Sequence, residues 1–390
     1  MWRAIASNGI TLLIVLMIAA AGLIGWGQAQ YRGAGPLTAA MCLQVATGAT
    51  MTGVADELAE SGAVSQAWIF RAGADYEALS GKLKAGSWLL PAEASMAEIA
   101  DIVTRGGAST CGNEVVYRIG VTRNSVRVRE FDPGTDQFVE LITFDLSDNP
   151  DPQAFALYEQ MRDRSDTRFR IVVAEGVTSW QVTQGLNAID VLTGQIGAKP
   201  AEGSLAPDSY EVSQGDDRRA LVDEMRAAQS ARIAETWEAR DPDLPYESVD
   251  EAVIMASIIE KETGRADERR QVAAVFVNRL RDGWRLQTDP TVIYGITEGR
   301  GVLGRGLRQS ELDTPTQYNT YVIYGLPPTP IANPGLASLE AAVNPDESDY
   351  MFFVAKSLNP ADGHNFAVTN AEHEENVAKY RALEEARDGN

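Results

Sequence analysis

From Gly9 to Gly27 the chain carries no charged residue: Gly-Ile-Thr-Leu-Leu-Ile-Val-Leu-Met-Ile-Ala-Ala-Ala-Gly-Leu-Ile-Gly-Trp-Gly. A bilayer core ~30 Å thick needs about 20 such residues, so the run predicts a membrane-spanning helix. Trp2 lies near one edge, and Trp26 and Tyr31 near the other, as interfacial aromatics do. Arg3 on the short N-terminal side predicts that this end stays inside and the bulk of the chain outside. A cleaved signal peptide ending near Gly27-Gln28-Ala29 is the competing reading, although the run exceeds the usual apolar stretch of roughly 7–15 residues. Either way residues 32–390 are expected outside the cytoplasm.

Beyond the apolar run the pattern becomes that of small mixed modules. Val45-Ala46-Thr47-Gly48-Ala49-Thr50, then Val54 and Leu58, is echoed at the same spacings by Val173-Ala174-Glu175-Gly176-Val177-Thr178, then Val182 and Leu186. Each copy predicts a strand, a glycine turn, a threonine cap and a short amphipathic helix. Two copies are too few for a solenoid, and suggest two related α/β modules. Between them Val115–Val121, Ser125–Phe131 and Phe138–Phe144 alternate or run apolar, and read as strands with a turn at Asp132-Pro133-Gly134-Thr135. Ser147 to Pro152 reads as a linker. Glu202 to Tyr210 is a polar loop, a helix is predicted from about Asp217 to Arg240, and Ala239 to Pro245 punctuates the chain.

Ser248 and Glu251 form a capping-box pattern that opens a further helix, and Gly264 fits a left-handed stop at its end. At about 100° per residue, Met255, Ile258 and Ile259 share a side with Glu262, while Glu260 lies about 200° from it. Glu262 therefore has the more apolar surroundings of the two acids. A sheltered carboxyl keeps its proton near neutral pH and can pass it to a leaving group, as glycosidic cleavage requires. The alternative is that both glutamates are solvated last-turn residues, although negative charge there opposes the helix dipole.

A second helix from about Asp267, with Val272, Val275, Phe276 and Leu280 as its core stripe, stops at Asp282-Gly283. Arg285 to Tyr294 then reads as a polar loop whose Asp289-Pro290 step breaks regular structure. With Thr314–Tyr321 and Gly325–Gly335 it could hold an extended polar ligand, tyrosine faces meeting sugar rings and amides meeting hydroxyls, or merely cover a core.

Composition narrows the function classes. A formal charge of −21 and a sequence pI near 4.6 argue against nucleic acid. Two cysteines, Cys42 and Cys111, allow one bridge outside the membrane or two buried free thiols. His364 and His373, with Glu372, Glu374 and Glu375 nearby, match no recognised metal spacing, so no metal is expected. His364 reads as a structural hydrogen-bonding residue or a site liner. There is no phosphate-cradling loop, dinucleotide fingerprint or Gly-x-Ser-x-Gly, and no cofactor is predicted.

Several segments together resemble the YceG-like endolytic murein transglycosylase family: Ala256-Ser-Ile-Ile-Glu-Lys-Glu-Thr-Gly264, Val275-Phe-Val-Asn-Arg-Leu280, Leu286-Gln-Thr-Asp-Pro-Thr-Val-Ile-Tyr294, Tyr318-Asn-Thr-Tyr321, Gly325-Leu-Pro-Pro328 and Ile331-Ala-Asn-Pro-Gly335. Asp349 to Val354 and Gly363 to Phe366 continue the resemblance, which is dense from about Glu251 to Tyr380. Glu202-Gly to Tyr210 is similar to the family's Glu-Gly…Pro-Asp-Thr-Tyr segment, departing at Ala206 and Ser209, and Pro36 to Gly107 resembles its LysM-like module more loosely. The resemblance implies an α+β protein: a cytoplasmic stub and membrane helix (1–31), a LysM-like module (32–110), a β-rich insertion (111–152), a second small α/β module with a helix (153–245) and a C-terminal catalytic domain (246–390).

It further implies a single-pass inner-membrane enzyme, its catalytic domain in the periplasm, that cuts peptidoglycan glycan strands from within and terminates new strands. Penicillin-binding proteins or other cell-wall synthases are the implied protein partners. The family's catalytic glutamate maps onto Glu262. Gln287, Asp289, Tyr294, Tyr318 and Asn319 are the candidates for orienting the sugar. Two rival functions are a lysozyme-type hydrolase using Asp289 as a second carboxylate and a non-catalytic peptidoglycan-binding scaffold.

Overall fold

The uncharged run lies within one helix, α1 (Trp2–Arg32), whose stretch from Thr11 to Arg32 is long and apolar enough to cross a bilayer. The computed structural model describes residues 2–107, 109–145, 151–164 and 166–388. The side chains of Trp2 and Arg3 are outside that description, and so is most of the predicted Ser147–Pro152 linker, whose last two residues cap and open a helix. Mixed α and β elements form two compact units. The first comprises Met1–Val115, Arg127–Thr143 and Asp151–Arg168; the second comprises Val116–Val126, Phe144–Pro150 and Phe169–Asn390.

In the first unit β1 (Met41–Val45) pairs antiparallel with β2 (Gly86–Leu90), Leu43 facing Trp88. Three short helices pack on this hairpin: α2 (Met51–Glu60), α3 (Ala67–Tyr76) and α4 (Met96–Arg105). Their apolar faces, including Leu58, Phe70 and Ile99, make one core that also takes in Tyr31 from the end of α1. A disulfide joins Cys42 and Cys111 across a sequence separation of 69, which settles the two readings of the cysteines in favour of the bridge.

The middle of the chain supplies β3 (Asn113–Ile119), β4 (Ser125–Asp132), β5 (Gln137–Phe144), α5 (Pro152–Arg162), β6 (Arg168–Val173), α6 (Ser179–Ala188) and β7 (Ser209–Val212). The strands form a sheet in the order β5-β4-β3-β6-β7, and β6 runs antiparallel to β7 with Ile171 opposite Tyr210. The Asp132 turn forms as expected, its carboxylate accepting from Gly134 N at 2.9 Å. The two echoed segments share one local structure. Gly48 and Gly176 both take a left-handed φ, +81° and +75°, that a side chain would strain. Thr50 and Thr178 cap α2 and α6 by accepting from Gly53 N and Gln181 N, both at 3.2 Å.

The rest of the second unit is mainly helical: α7 (Arg218–Glu238), α8 (Val249–Glu262), α9 (Arg269–Arg281), α10 (Asp289–Thr297), α11 (Gln309–Asp313), α12 (Leu336–Val343) and α13 (Asn370–Asp388), with the antiparallel pair β8 (Phe352–Ala355) and β9 (His364–Ala367). Met255, Ile258, Ile259, Val272 and Phe276 are completely or almost completely buried in one core.

Three local expectations are corrected. Ser248 caps α8, accepting from Glu251 N at 3.3 Å, but the Glu251 carboxylate accepts from Glu247 N at 2.6 Å, one residue before the expected partner. Gly264 is not left-handed: Thr263, at φ −139° and ψ 130°, takes the chain straight into extended backbone and its hydroxyl accepts from Arg265 N at 3.1 Å. The Asp289-Pro290 step begins a helix instead of breaking one. Proline in a first turn removes an N–H that would have had no partner in the helix.

Candidate functional site

Helix α8 buries its apolar face from Ala252 to Ile259 and delivers Glu262 at its last residue. The carboxyl of Glu262 is pushed up to about 7, chiefly because burial penalises its charged form. The nearby charge of Asp289 acts in the same direction, while a hydrogen bond from Thr288 and the guanidinium of Arg279 act against it. Near neutral pH this group is therefore divided between its acid and its base form, the condition a proton shuttle needs.

Thr288 Oγ1 donates to Glu262 Oε1. By backbone conformation Thr288 is the N-cap of α10, and a threonine there would ordinarily cap with its hydroxyl; here no side-chain cap bond forms. Its place is fixed by a buried threonine cluster. Thr288 N donates to Thr320 Oγ1 at 3.0 Å, Thr291 Oγ1 donates to Thr288 O at 2.8 Å, and the Thr291 and Thr320 hydroxyls lie 2.9 Å apart. Arg279 is held by Met351 O at 2.8 Å and Leu286 O at 2.6 Å. Acid, hydroxyl and cation thus all stand on anchored backbone, so little reorganisation accompanies proton movement.

Of the residues expected to orient a sugar, Gln287 and Asp289 are exposed and flank Thr288. Gln287 holds a left-handed φ of +54° that costs a non-glycine residue about 1–2 kcal/mol. Its backbone N–H donates to Thr320 O at 3.1 Å. Asp289 accepts from the Tyr321 hydroxyl at 2.6 Å. Tyr294 and Tyr318 stand together with ring centroids 5.1 Å apart. The Tyr294 hydroxyl donates to Glu202 Oε2 at 3.1 Å, and that of Tyr318 lies 2.8 Å from Thr329 Oγ1.

Asn319 lies elsewhere. It has no exposed surface, and its amide donates to the carbonyls of Glu311, Leu312 and Thr314 at 3.1, 2.9 and 2.7 Å, so it shapes its loop and has no face left for a ligand.

Sequence reasoning read Thr288 only as a polar group of its loop, and passed over Thr320, Tyr321, Arg279 and Glu202 as site residues. Glu202 accepts from Ser179 N at 2.6 Å and from Tyr294, and burial still raises its carboxyl above the ordinary range. The one available signal was the repeated threonine in Gln-Thr-Asp-Pro-Thr and Asn-Thr-Tyr. A cavity of about 320 Å³ adjoins this region, lined among others by Tyr294, Thr178, Gln181, Lys261 and Pro290, the last two being chain neighbours of Glu262 and Asp289.

Of the two histidines, the backbone N–H of His364 donates to Glu268 Oε1 at 2.9 Å, its Nδ1 lies 3.0 Å from Glu268 Oε2, and His373 stacks on Phe352. Among the described residues no group of three or more histidine, cysteine, aspartate or glutamate side chains is arranged to hold a metal.

Residues 143–379, more than half of the chain, match the model of the YceG-like family. An endolytic murein transglycosylase of Bacillus subtilis (strain 168) is 38% identical over 182 residues, which make up 46% of this chain and 48% of the relative. Another, from Streptococcus pneumoniae serotype 2 (strain D39 / NCTC 7466), is 31% identical over 188 residues, 46% of this chain and 32% of the relative. The chain thus spans about half, or less, of the length of the curated relatives it matches. A crystal structure of a YceG-like protein from Listeria monocytogenes aligns with a TM-score of 0.44 at 23% identity, covering 86% of this chain and 98% of that one.

Proposed function

The chain belongs to the YceG-like family, and from that premise we propose that it is a membrane-anchored endolytic lytic transglycosylase of peptidoglycan. The observation that carries the proposal is Glu262, part-buried at a helix end and poised near pH 7 beside an exposed polar rim. The names of the matched relatives supply the substrate class. The bond cut is the β-1,4 link from MurNAc to GlcNAc within a strand.

Protonated Glu262 donates to the glycosidic oxygen as the bond to the anomeric carbon breaks. The substrate's own N-acetyl oxygen attacks that carbon, giving a substrate-assisted intermediate. The Glu262 carboxylate then removes the proton of the C6 hydroxyl. That oxygen displaces the acetamido oxygen and closes a 1,6-anhydro ring, so no water is consumed. Thr288 orients the carboxyl, Gln287 and Asp289 meet the sugar from the rim, and the Tyr294–Tyr318 pair offers a stacking face. Asn319 positions the loop carrying Thr320 and Tyr321.

Helix α1 is the anchor, with the two units on the periplasmic side of the inner membrane. The Cys42–Cys111 bridge fits an oxidising compartment. Strand termination beside cell-wall synthases is the role such an enzyme would serve.

One observation favours attention to a hydrolase: Asp289 is exposed and close enough for its charge to influence Glu262. Muropeptide mass spectrometry of digested sacculi decides between the two, because hydrolysis leaves reducing ends one water heavier than anhydro ends. Glu262→Gln is expected to keep the fold and to release anhydro ends about 10²–10⁴-fold more slowly. Undiminished release by that variant removes the proposal, and full complementation of a deletion strain by it establishes a scaffold instead.

A further inference from the structure

The last turn of α1 belongs to the core of the first unit. Tyr31 is only 5% exposed, and its ring lies so near Gly73 of α3 that a β-carbon there would sit 2.2 Å from it. The Tyr31 hydroxyl donates to Glu77 Oε2 at 3.1 Å. Immediately beyond, Gly33 N and Gly35 N donate to Ala29 O and Glu93 O, both at 2.9 Å, and a β-carbon on Gly35 would collide with the Ala94 carbonyl. The chain therefore passes from the apolar helix into the unit with no free linker.

This junction sets the height of the unit above the apolar run. Trp26, the aromatic residue near the end of that run, meets Trp68 at the start of α3, ring centroids 6.2 Å apart. Tyr31, about 8 Å further along the α1 axis, meets Gly73 in the middle of α3. Helix α3 thus rises alongside α1 with its first turn level with Trp26. Between the two helices lies a cavity of about 410 Å³ lined among others by Leu23, Ile24, Trp68, Ile69 and Ala72. Leu23 and Ile24 are each 61% exposed and Trp68 is 48% exposed. The same Leu23 and Ile24 form the end of the apolar run, so the groove is continuous with the surface that a bilayer would cover.

We infer that the first unit rests on the membrane, with Trp68 and the first turn of α3 inserted at the headgroup–acyl boundary and a lipid acyl chain filling the groove between α1 and α3. The inference rests on reading α1 as a membrane span. Tryptophan is favoured at that depth because its ring is amphipathic, and an exposed indole beside two leucine-class side chains is otherwise a patch that water covers poorly.

The test uses the full chain in phospholipid nanodiscs whose acyl chains are brominated near the headgroup, a short-range quencher of indole emission. Wild type is compared with Trp68→Phe and with Trp26→Phe, each of which keeps an aromatic ring at the contact. The emission lost on replacing Trp68 is expected to be quenched at least twofold, as is that of Trp26. Quenching of the Trp26 component alone overturns the inference while leaving the span intact, and means that the groove is covered by a second copy or another protein. If neither component is quenched, α1 does not span the bilayer and the inference falls with that reading.

Discussion

The two flanks of the last turn of α8 present the same side chain with opposite surroundings. On one flank Glu260 Oε2 accepts from Gly335 N at 3.0 Å and from Ser338 Oγ at 2.7 Å, at the N-terminus of α12, where a helix dipole welcomes negative charge. On the other flank Glu262 has a hydroxyl from Thr288, a part-buried setting and the like charge of Asp289 nearby. Lys261, between them, donates to Gly176 O at 3.2 Å and ties the turn to the second of the two echoed modules. Donors turn Glu260 into a brace between helices. Their scarcity leaves Glu262 able to hold and release a proton. On the proposed mechanism, identical residues two positions apart thus serve structure and chemistry respectively.

The contrast is broken most severely by removing each acid in turn. While Glu262→Gln is expected to slow turnover by about 10²–10⁴-fold, Glu260→Ala is expected to lower activity by less than tenfold. It should destabilise the second unit by about 1–3 kcal/mol, because Gly335 N–H and the Ser338 hydroxyl lose their charged acceptor. Urea unfolding and sacculus digestion measure the two effects, and equal activity losses in both variants erase the distinction.

A smaller effect appears in stability against pH. Below about pH 4.5 Glu262 is protonated in folded and unfolded chains alike. Between there and about 7 the unfolded chain ionises it while the folded chain keeps its proton, so stability falls as pH rises through that window. Glu262→Gln should therefore be more stable than wild type at pH 8, by about 1–3 kcal/mol, and equal to it near pH 4. A constant difference across that range contradicts the burial of the carboxyl.

The finest adjustment is of the pH–rate profile. In the proposed mechanism the acid form starts the reaction, so kcat/KM should decline as pH rises through about 7. Thr288→Val removes a bond that favours the carboxylate and should move the decline to higher pH. Asp289→Asn removes a like charge and should move it to lower pH. Shifts in the same direction would show that at least one of the two residues does not act on Glu262 as described.

Much of this site was legible before any coordinates. Ser248 and the apolar positions from Met255 to Ile259 define α8, and helix geometry alone separates Glu262 from Glu260. The two echoed strand–turn–helix segments also follow from local signals, because a left-handed glycine and a threonine cap act within a few residues. What escaped depends on partners distant in sequence. Thr288 reads only as a donor or acceptor in a polar loop until Glu262, 26 residues away, claims its hydroxyl. Glu202 meets Tyr294 across 92 residues, and no periodicity records that meeting. Asn319 shows the reverse error. A polar residue in a tyrosine-rich loop suggests a ligand, but its amide donates to the carbonyls of Glu311 and Leu312 in α11 and of Thr314 just beyond it.

The bridge between Cys42 and Cys111 encloses both strands of the first hairpin, apart from Met41, and all three of its short helices. A protease that severs any one peptide bond inside this ring therefore yields no separate fragments. The nicked chain keeps the mass of the intact one, apart from the added water, and comes apart in a denaturing gel only once a reductant is present.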